Sequence, residues 1–148
     1  MTLDRIADTL CRHDAIGQLA KVCVTVSDNK VFVPVTVSYR GTMVKTIFLL
    51  DTGASVTVIT ATLAQKLGIQ AADTMPGLTR VADGRNIHSL QTNLDFLRVE
   101  PKSALNLDVG ILQVSGPELP FEGWLGMNFL RKFRHQLDVN AQVILWME

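Results

Sequence analysis

The sequence predicts an all-β domain, mostly strand with one or two short helices, closed on itself. Three observations predict it. From Val22 onward apolar residues recur with a period of two, the signature of half-buried strands. Turn dipeptides punctuate the chain at short intervals, as at Asp28-Asn29, Arg40-Gly41 and Asp83-Gly84. Helical spacing is confined to brief segments, and many short strands with few helices indicate a closed β domain.

The elements follow in order. Leu3, Ile6, Leu10 and Leu19 stand near helical spacing with charges between them, which predicts an amphipathic helix over residues 3–20. Val22, Val24 and Val26 then alternate, Ser27-Asp28-Asn29-Lys30 supplies a turn, and Val31, Val33, Val35 and Val37 alternate again. Pro34 removes a backbone donor from that second run, so the strand is expected at an edge or to carry a bulge. After the Arg40-Gly41-Thr42 turn, Met43 to Leu50 forms a third strand that delivers Asp51. Ser55 to Ile59 continues as strand, and Thr60 caps a short helix carrying Leu63 and Leu67 up to a stop at Gly68. Pro76-Gly77 reads as a break. Leu78 to Val81 and Ile87 to Leu90 flank the Asp83-Gly84 turn, and further strands are expected at 94–99, 107–114, 136–139 and 142–146. Met127 to Phe133, after Gly126, predicts a second short helix.

Composition narrows the function. The 148 residues suit one domain, with 47% hydrophobic and 19% charged residues, a globular balance. Fourteen basic residues offset fourteen acidic ones, which removes the electrostatic case for nucleic acid or an anionic membrane as partner. No segment approaches the roughly 20 apolar residues of a membrane-spanning helix. Charges also break up the N-terminus, so no signal peptide is expected and cytoplasmic residence is the expectation. Cys11 and Cys23 form no metal spacing and read as ordinary thiols. His13, His88 and His135 lack ligand spacing, so no metal is expected.

One place is built for chemistry. Ile47-Phe48-Leu49-Leu50 ends in Asp51-Thr52-Gly53-Ala54, a carboxylate at the end of a strand in a turn that glycine makes sharp. Hydrolysis by paired carboxylates needs one as base toward water and a second, protonated, as acid. Like charges about 3 Å apart cannot both ionise, so such a pair shares a proton. The chain has no second Asp-Thr-Gly or Asp-Ser-Gly. A partner carboxylate must then come from another copy.

The match runs past the tripeptide. Asp51-Thr52-Gly53-Ala54, two residues, then Thr57-Val58-Ile59 closely resembles the active-site segment of retropepsin-like aspartic proteases. Gly123-Trp124-Leu125-Gly126-Met127-Asn128-Phe129-Leu130 resembles that family's second signature, in which two apolar residues and a Gly thread beneath the active-site turn. Val81-Ala82-Asp83-Gly84-Arg85 falls where the family carries its flap hairpin. The resemblance covers about residues 31–147 in the family's order. It implies a closed acid-protease β-barrel with one lobe per chain, over residues 31–148, behind an N-terminal extension of residues 1–30.

What the resemblance implies is an aspartic endopeptidase working as a homodimer, without cofactor, on a peptide bound as an extended strand. Asp51 would be the catalytic carboxylate, and Thr52 would bond across the subunit boundary. Gly53 would offer its carbonyl to substrate, while Ala54 packs beside the pair. Ala82, Asp83 and Gly84 would contact substrate backbone from the flap, and Trp124, Leu125 and Gly126 would support the turn. The strands ending in Val143 to Trp146 would build part of the dimer interface. There are departures. Tyr39, the sole tyrosine, precedes Asp51, so no flap tyrosine of the two-lobed pepsin type exists. Asp83-Gly84 replaces a glycine-richer tip, and Asp83 by itself reads as a turn residue. Asn128 stands where relatives often carry Asp, and either residue can serve as a helix-start acceptor. Two alternatives stay open: a catalytically inactive dimerisation or peptide-binding module of the same fold, and a β-barrel enzyme of another class, for which no nucleophile–His or metal motif is found.

Overall fold

A computed structural model describes residues 19–80, 84–113 and 118–147. The helix expected over residues 3–20 falls almost wholly outside them. Eleven strands follow: β1 (Lys21–Cys23), β2 (Thr25–Ser27), β3 (Lys30–Tyr39), β4 (Thr42–Leu50), β5 (Thr57–Thr60), β6 (Met75–Arg80), β7 (Asn86–Val99), β8 (Lys102–Leu112), β9 (Gly123–Leu125), β10 (His135–Asp138) and β11 (Val143–Trp146). Two short helices, α1 (Ala61–Lys66) and α2 (Met127–Leu130), and a 3-10 turn (Ala71–Asp73) interrupt them.

Eight strands pair in the order β2-β3-β4-β9-β5-β8-β7-β6, and β3 also pairs with β7. That extra pairing, Thr36↔Arg98 to Ser38↔Phe96, turns six strands into a ring. The closed all-β fold expected from the sequence is therefore present. Pro34 lies on β3 between its pairing with β2 at residues 30–32 and its pairing with β7 at residues 36–38. There β3 has only β4 beside it, through Pro34↔Ile47, so the missing N–H breaks no second ladder.

Turn chemistry decides the hairpins. Asp28 (φ 52) with Asn29 (φ 61), and Arg40 (φ 46) with Gly41 (φ 88), adopt the paired left-handed conformations of two-residue hairpin loops. They close Ser27↔Lys30 and Tyr39↔Thr42. α1 starts as expected, with the Thr60 hydroxyl accepting the Leu63 N–H at 3.2 Å, and ends at Gly68 (φ 76).

Ring closure buries a continuous apolar interior. Val33, Val37, Phe48, Ile59, Leu63, Leu94, Leu97, Val99, Leu125 and Phe129 are wholly buried, and each such side chain contributes about 1.5–3 kcal/mol. Trp146 joins them, edge-on to Phe129 and Phe133, with its indole N–H donating to the Glu100 carbonyl at 2.8 Å. β11 sits between β1 and β10 in a separate three-stranded sheet, so both of its edges are taken within the chain.

Four expectations are corrected. Pro76 and Gly77 do not break the chain but lie inside β6, the outermost strand, where proline is tolerated. The strands expected at 87–90 and 94–99 are one continuous β7. β5 begins only at Thr57, because the carbonyls of Ala54 and Ser55 accept α2 amides instead of ladder bonds. α2 stops at Leu130, after which Lys132 N–H→Phe129 O and Phe133 N–H→Leu130 O tighten the chain into 3-10 turns. No helix among the described residues is long and apolar enough to cross a membrane.

Candidate active site

β9 threads between β4 and β5, parallel to the first (Leu49↔Trp124, Leu50↔Leu125) and antiparallel to the second (Val58↔Trp124, Ile59↔Gly123). It carries the register one residue further. The Asp51 N–H donates to the Leu125 carbonyl at 3.0 Å, so the residue after β4 is held by the ladder although the strand has ended. Ala54 N–H then donates to the Asp51 carbonyl at 3.1 Å and closes the turn.

The Asp51 carboxylate points into this turn, and its Oδ1 accepts the Gly53 N–H at 3.0 Å. A Cβ on Gly53 would stand 3.3 Å from that oxygen, which is tight, so glycine leaves the carboxylate uncrowded. Asp51 is half-buried, Thr52 and Gly53 are exposed, and Ala54 is buried. Among the described residues, the hydrogen bond made to the Asp51 side chain comes from its own loop. The turn therefore presents a carboxylate at the surface on a rigid backbone.

The second segment locks the turn from beneath. Met127 N–H donates to Ala54 O at 2.7 Å and Asn128 N–H to Ser55 O at 3.1 Å, which satisfies the first amides of α2. A Cβ on Gly126 would meet the backbone of Val56 at 2.7 Å and of Ala54 at 2.8 Å. Only glycine permits that approach. Gly123 is equally close to a neighbour, since a Cβ there would touch the ring of buried Phe48 at 2.5 Å.

A hydrogen-bonded knot ties the parts together. Asn128 Oδ1 accepts both the Thr57 N–H and the Thr57 hydroxyl at 2.8 Å. The same hydroxyl oxygen accepts the Gly126 N–H at 3.0 Å, and Asn128 Nδ2 donates to the Asp108 carbonyl at 2.8 Å. The asparagine thus bridges β5 and β8. It does not cap its own helix, which was the role expected of it. The amide supplies both the acceptor and the donor, which an ionised carboxylate in its place could not. The role of Glu122 was not expected at all. Its carboxylate accepts Thr46 Oγ1 at 2.6 Å and Lys66 Nζ at 2.9 Å, just ahead of β9.

The structure therefore brings Asp51, Thr52, Gly53 and Ala54 together with Trp124, Leu125 and Gly126, from opposite ends of the sequence. The expected flap is a real hairpin, paired from Met75↔Gln91 to Arg80↔Asn86. Gly84 (φ 90) stands in its loop, while Ala82 and Asp83 lie outside the described residues. Trp124 is half-buried, edge-on to Phe121 at 5.2 Å. Among the described residues no group of three or more His, Cys, Asp or Glu could hold a metal ion. Asp51 lines neither of two grooves, of about 590 and 580 Å³, on the flanks of the barrel. Its side chain is half-buried, beside exposed Thr52 and Gly53.

Comparison with known proteins adds to this geometry. Residues 33–129 match the model of a family described as aspartyl protease. The fold resembles the crystal structure of a retropepsin-like aspartic protease from Rickettsia conorii, with a TM-score of 0.64 and 22% identity, covering 87% of this chain and 91% of that one. At such identity the likeness speaks for the fold. No curated protein matches the chain.

Proposed function

Because the chain belongs to the aspartyl protease family, we propose that it is an aspartic endopeptidase in which two Asp51 carboxylates, one from each subunit of a homodimer, activate a water. One observation carries the reading. The single Asp-Thr-Gly turn fixes its aspartate backbone through Leu125 and Ala54 yet leaves the carboxylate open to a partner.

In the proposed dimer the two carboxylates share one proton. The ionised one takes a proton from water as it attacks the peptide carbonyl, and the protonated one donates to the carbonyl oxygen. Their pKa values belong to the pair. Water is the nucleophile, so the cycle has no covalent intermediate and calls for no cofactor. Exposed Thr52 bonds to the partner's turn, the Gly53 carbonyl receives a substrate N–H, and the β6–β7 hairpin lies over an extended peptide. Among the described residues β1 and β10 form the outer edges of the terminal sheet, and a second subunit pairs there, beside β11. Zero net charge supports a peptide rather than a nucleic acid as substrate.

The test is cleavage of a mixed peptide library at acidic and neutral pH by wild type and Asp51→Asn. The substitution should cost roughly 10²–10⁴-fold, the usual contribution of a general acid–base group. Adding excess Asp51→Asn subunits to wild type should suppress activity, because every mixed dimer keeps one carboxylate. Activity that survives the substitution would sink the mechanism, and activity indifferent to added variant would sink the shared pair. A wild type that dimerises but never cleaves would instead be a binding module.

A further inference from the structure

The turn between β3 and β4 is fastened to two other parts of the chain at once. Asp95 of β7 pins it, with Oδ2 accepting the Ser38 hydroxyl at 2.9 Å and the Gly41 N–H at 3.1 Å. From that fixed turn the Arg40 guanidinium reaches Asp73. Each terminal nitrogen meets one carboxylate oxygen at 3.3 Å, a two-pronged pairing with defined geometry. The guanidinium also lies 5.2 Å over the Tyr39 ring, which limits its rotation. Asp73 closes the 3-10 turn two residues ahead of β6, and its carbonyl accepts the Thr92 hydroxyl at 3.4 Å. β6 needs such a tie. It is the outermost strand, with β7 as its only sheet neighbour among the described residues. A groove of about 580 Å³ runs along this joint, lined by Arg40, Asp73, Met75, Pro76 and Asp95.

We infer that Arg40 is a positioning residue for substrate binding: through Asp73 it holds the root of the β6–β7 hairpin against the barrel. The inference rests on the reading that this hairpin lies over the peptide at Asp51. A root that is fixed before substrate arrives spares binding the entropy of ordering the hairpin. Loss of the tie therefore falls on KM and leaves kcat alone, because no atom of Arg40 approaches the reacting groups in this scheme. The Arg40 side chain is 66% exposed, so its removal leaves the core intact.

The test is a double-mutant cycle in the full-length protein with Arg40→Gln, Asp73→Asn and the pair together. Each single change should raise KM about two- to five-fold, the scale of an exposed ion pair, with kcat unchanged. The double variant should be no worse than either single one. Hydrogen exchange at the amides of residues 75–80 and 86–91 should quicken in each variant while β4 stays protected. Independent effects that multiply in the double variant, or a hairpin whose exchange is untouched, would overturn the inference. A wild type without Asp51-dependent cleavage would refute the proposed function, whereas the exchange measurement would still decide whether Arg40 anchors the hairpin.

Discussion

Replacing Gly126 with alanine should be the most damaging single-methyl change at the candidate site. The added Cβ would lie 2.7 Å from the Val56 carbonyl carbon and 2.8 Å from the Ala54 and Val56 oxygens, where ordinary contact begins near 3.4 Å. All three atoms are backbone, so none can turn away. The Asp51 turn and β9 must part by roughly half an ångström or more, an overpacking that costs about 1–3 kcal/mol. The same shift stretches Met127 N–H→Ala54 O and Gly126 N–H→Thr57 Oγ1, which adds about 1 kcal/mol for each bond lost. For a chain of this size that is a fall in Tm of about 5–15 °C. Gly77→Ala is the internal control. Its Cβ would meet Gln91 side-chain atoms at 2.4 Å, a closer approach on paper. Gln91 is only half-buried and ends in rotatable bonds, so it can swing aside. Thermal unfolding and peptide cleavage of both variants, side by side, test the reasoning. A Gly126→Ala protein as stable as Gly77→Ala would show that the close approach of backbones is not what holds the turn.

Two further outcomes follow from the structure. Asn128→Ala strips the partners from the Thr57 N–H and the Asp108 carbonyl and should cost about 2–4 kcal/mol by urea denaturation, with Asn128→Asp intermediate because it keeps the acceptor and loses the donor. Amides of Gly41 and Arg40, then the Ser38 hydroxyl, hold the Asp95 carboxyl below its ordinary value of 3.8. A depressed carboxyl stabilises the fold above that value and loses its contribution as pH falls through the folded pKa. Asp95→Asn should accordingly lower the urea midpoint at neutral pH and converge with wild type under strong acid; a constant difference across pH would refute it.

Much of this was legible from residue type and spacing. The Asp28-Asn29 and Arg40-Gly41 turns were readable because left-handed backbone selects few residues, and the Thr60 cap because a hydroxyl before an apolar run has few other uses. Asp51 was readable because a carboxylate closing an apolar strand before glycine has little structural purpose. What escaped was everything that depends on a distant partner. Nothing local says that Pro76 will lie in an outermost strand, or that Ala54 and Ser55 will give their carbonyls to α2 and end their own strand pairing. Asn128 looked like a helix-start residue from its neighbours. Its real partners, Thr57 and Asp108, are brought to it only by ring closure. Glu122 gave no signal, since a lone acid before a short strand is common.

The position of β9 also bears on when the aspartate turn can take its shape. Asp51 emerges from the ribosome early, yet the carbonyl that clamps its amide belongs to Leu125 and the knot beneath it to Asn128. A nascent chain short of that point lacks the strand between β4 and β5, so its aspartate turn has no floor. The order of synthesis therefore sets the order of assembly: the aspartate turn is made first, and its support arrives about 75 residues later, with Leu125 and Asn128.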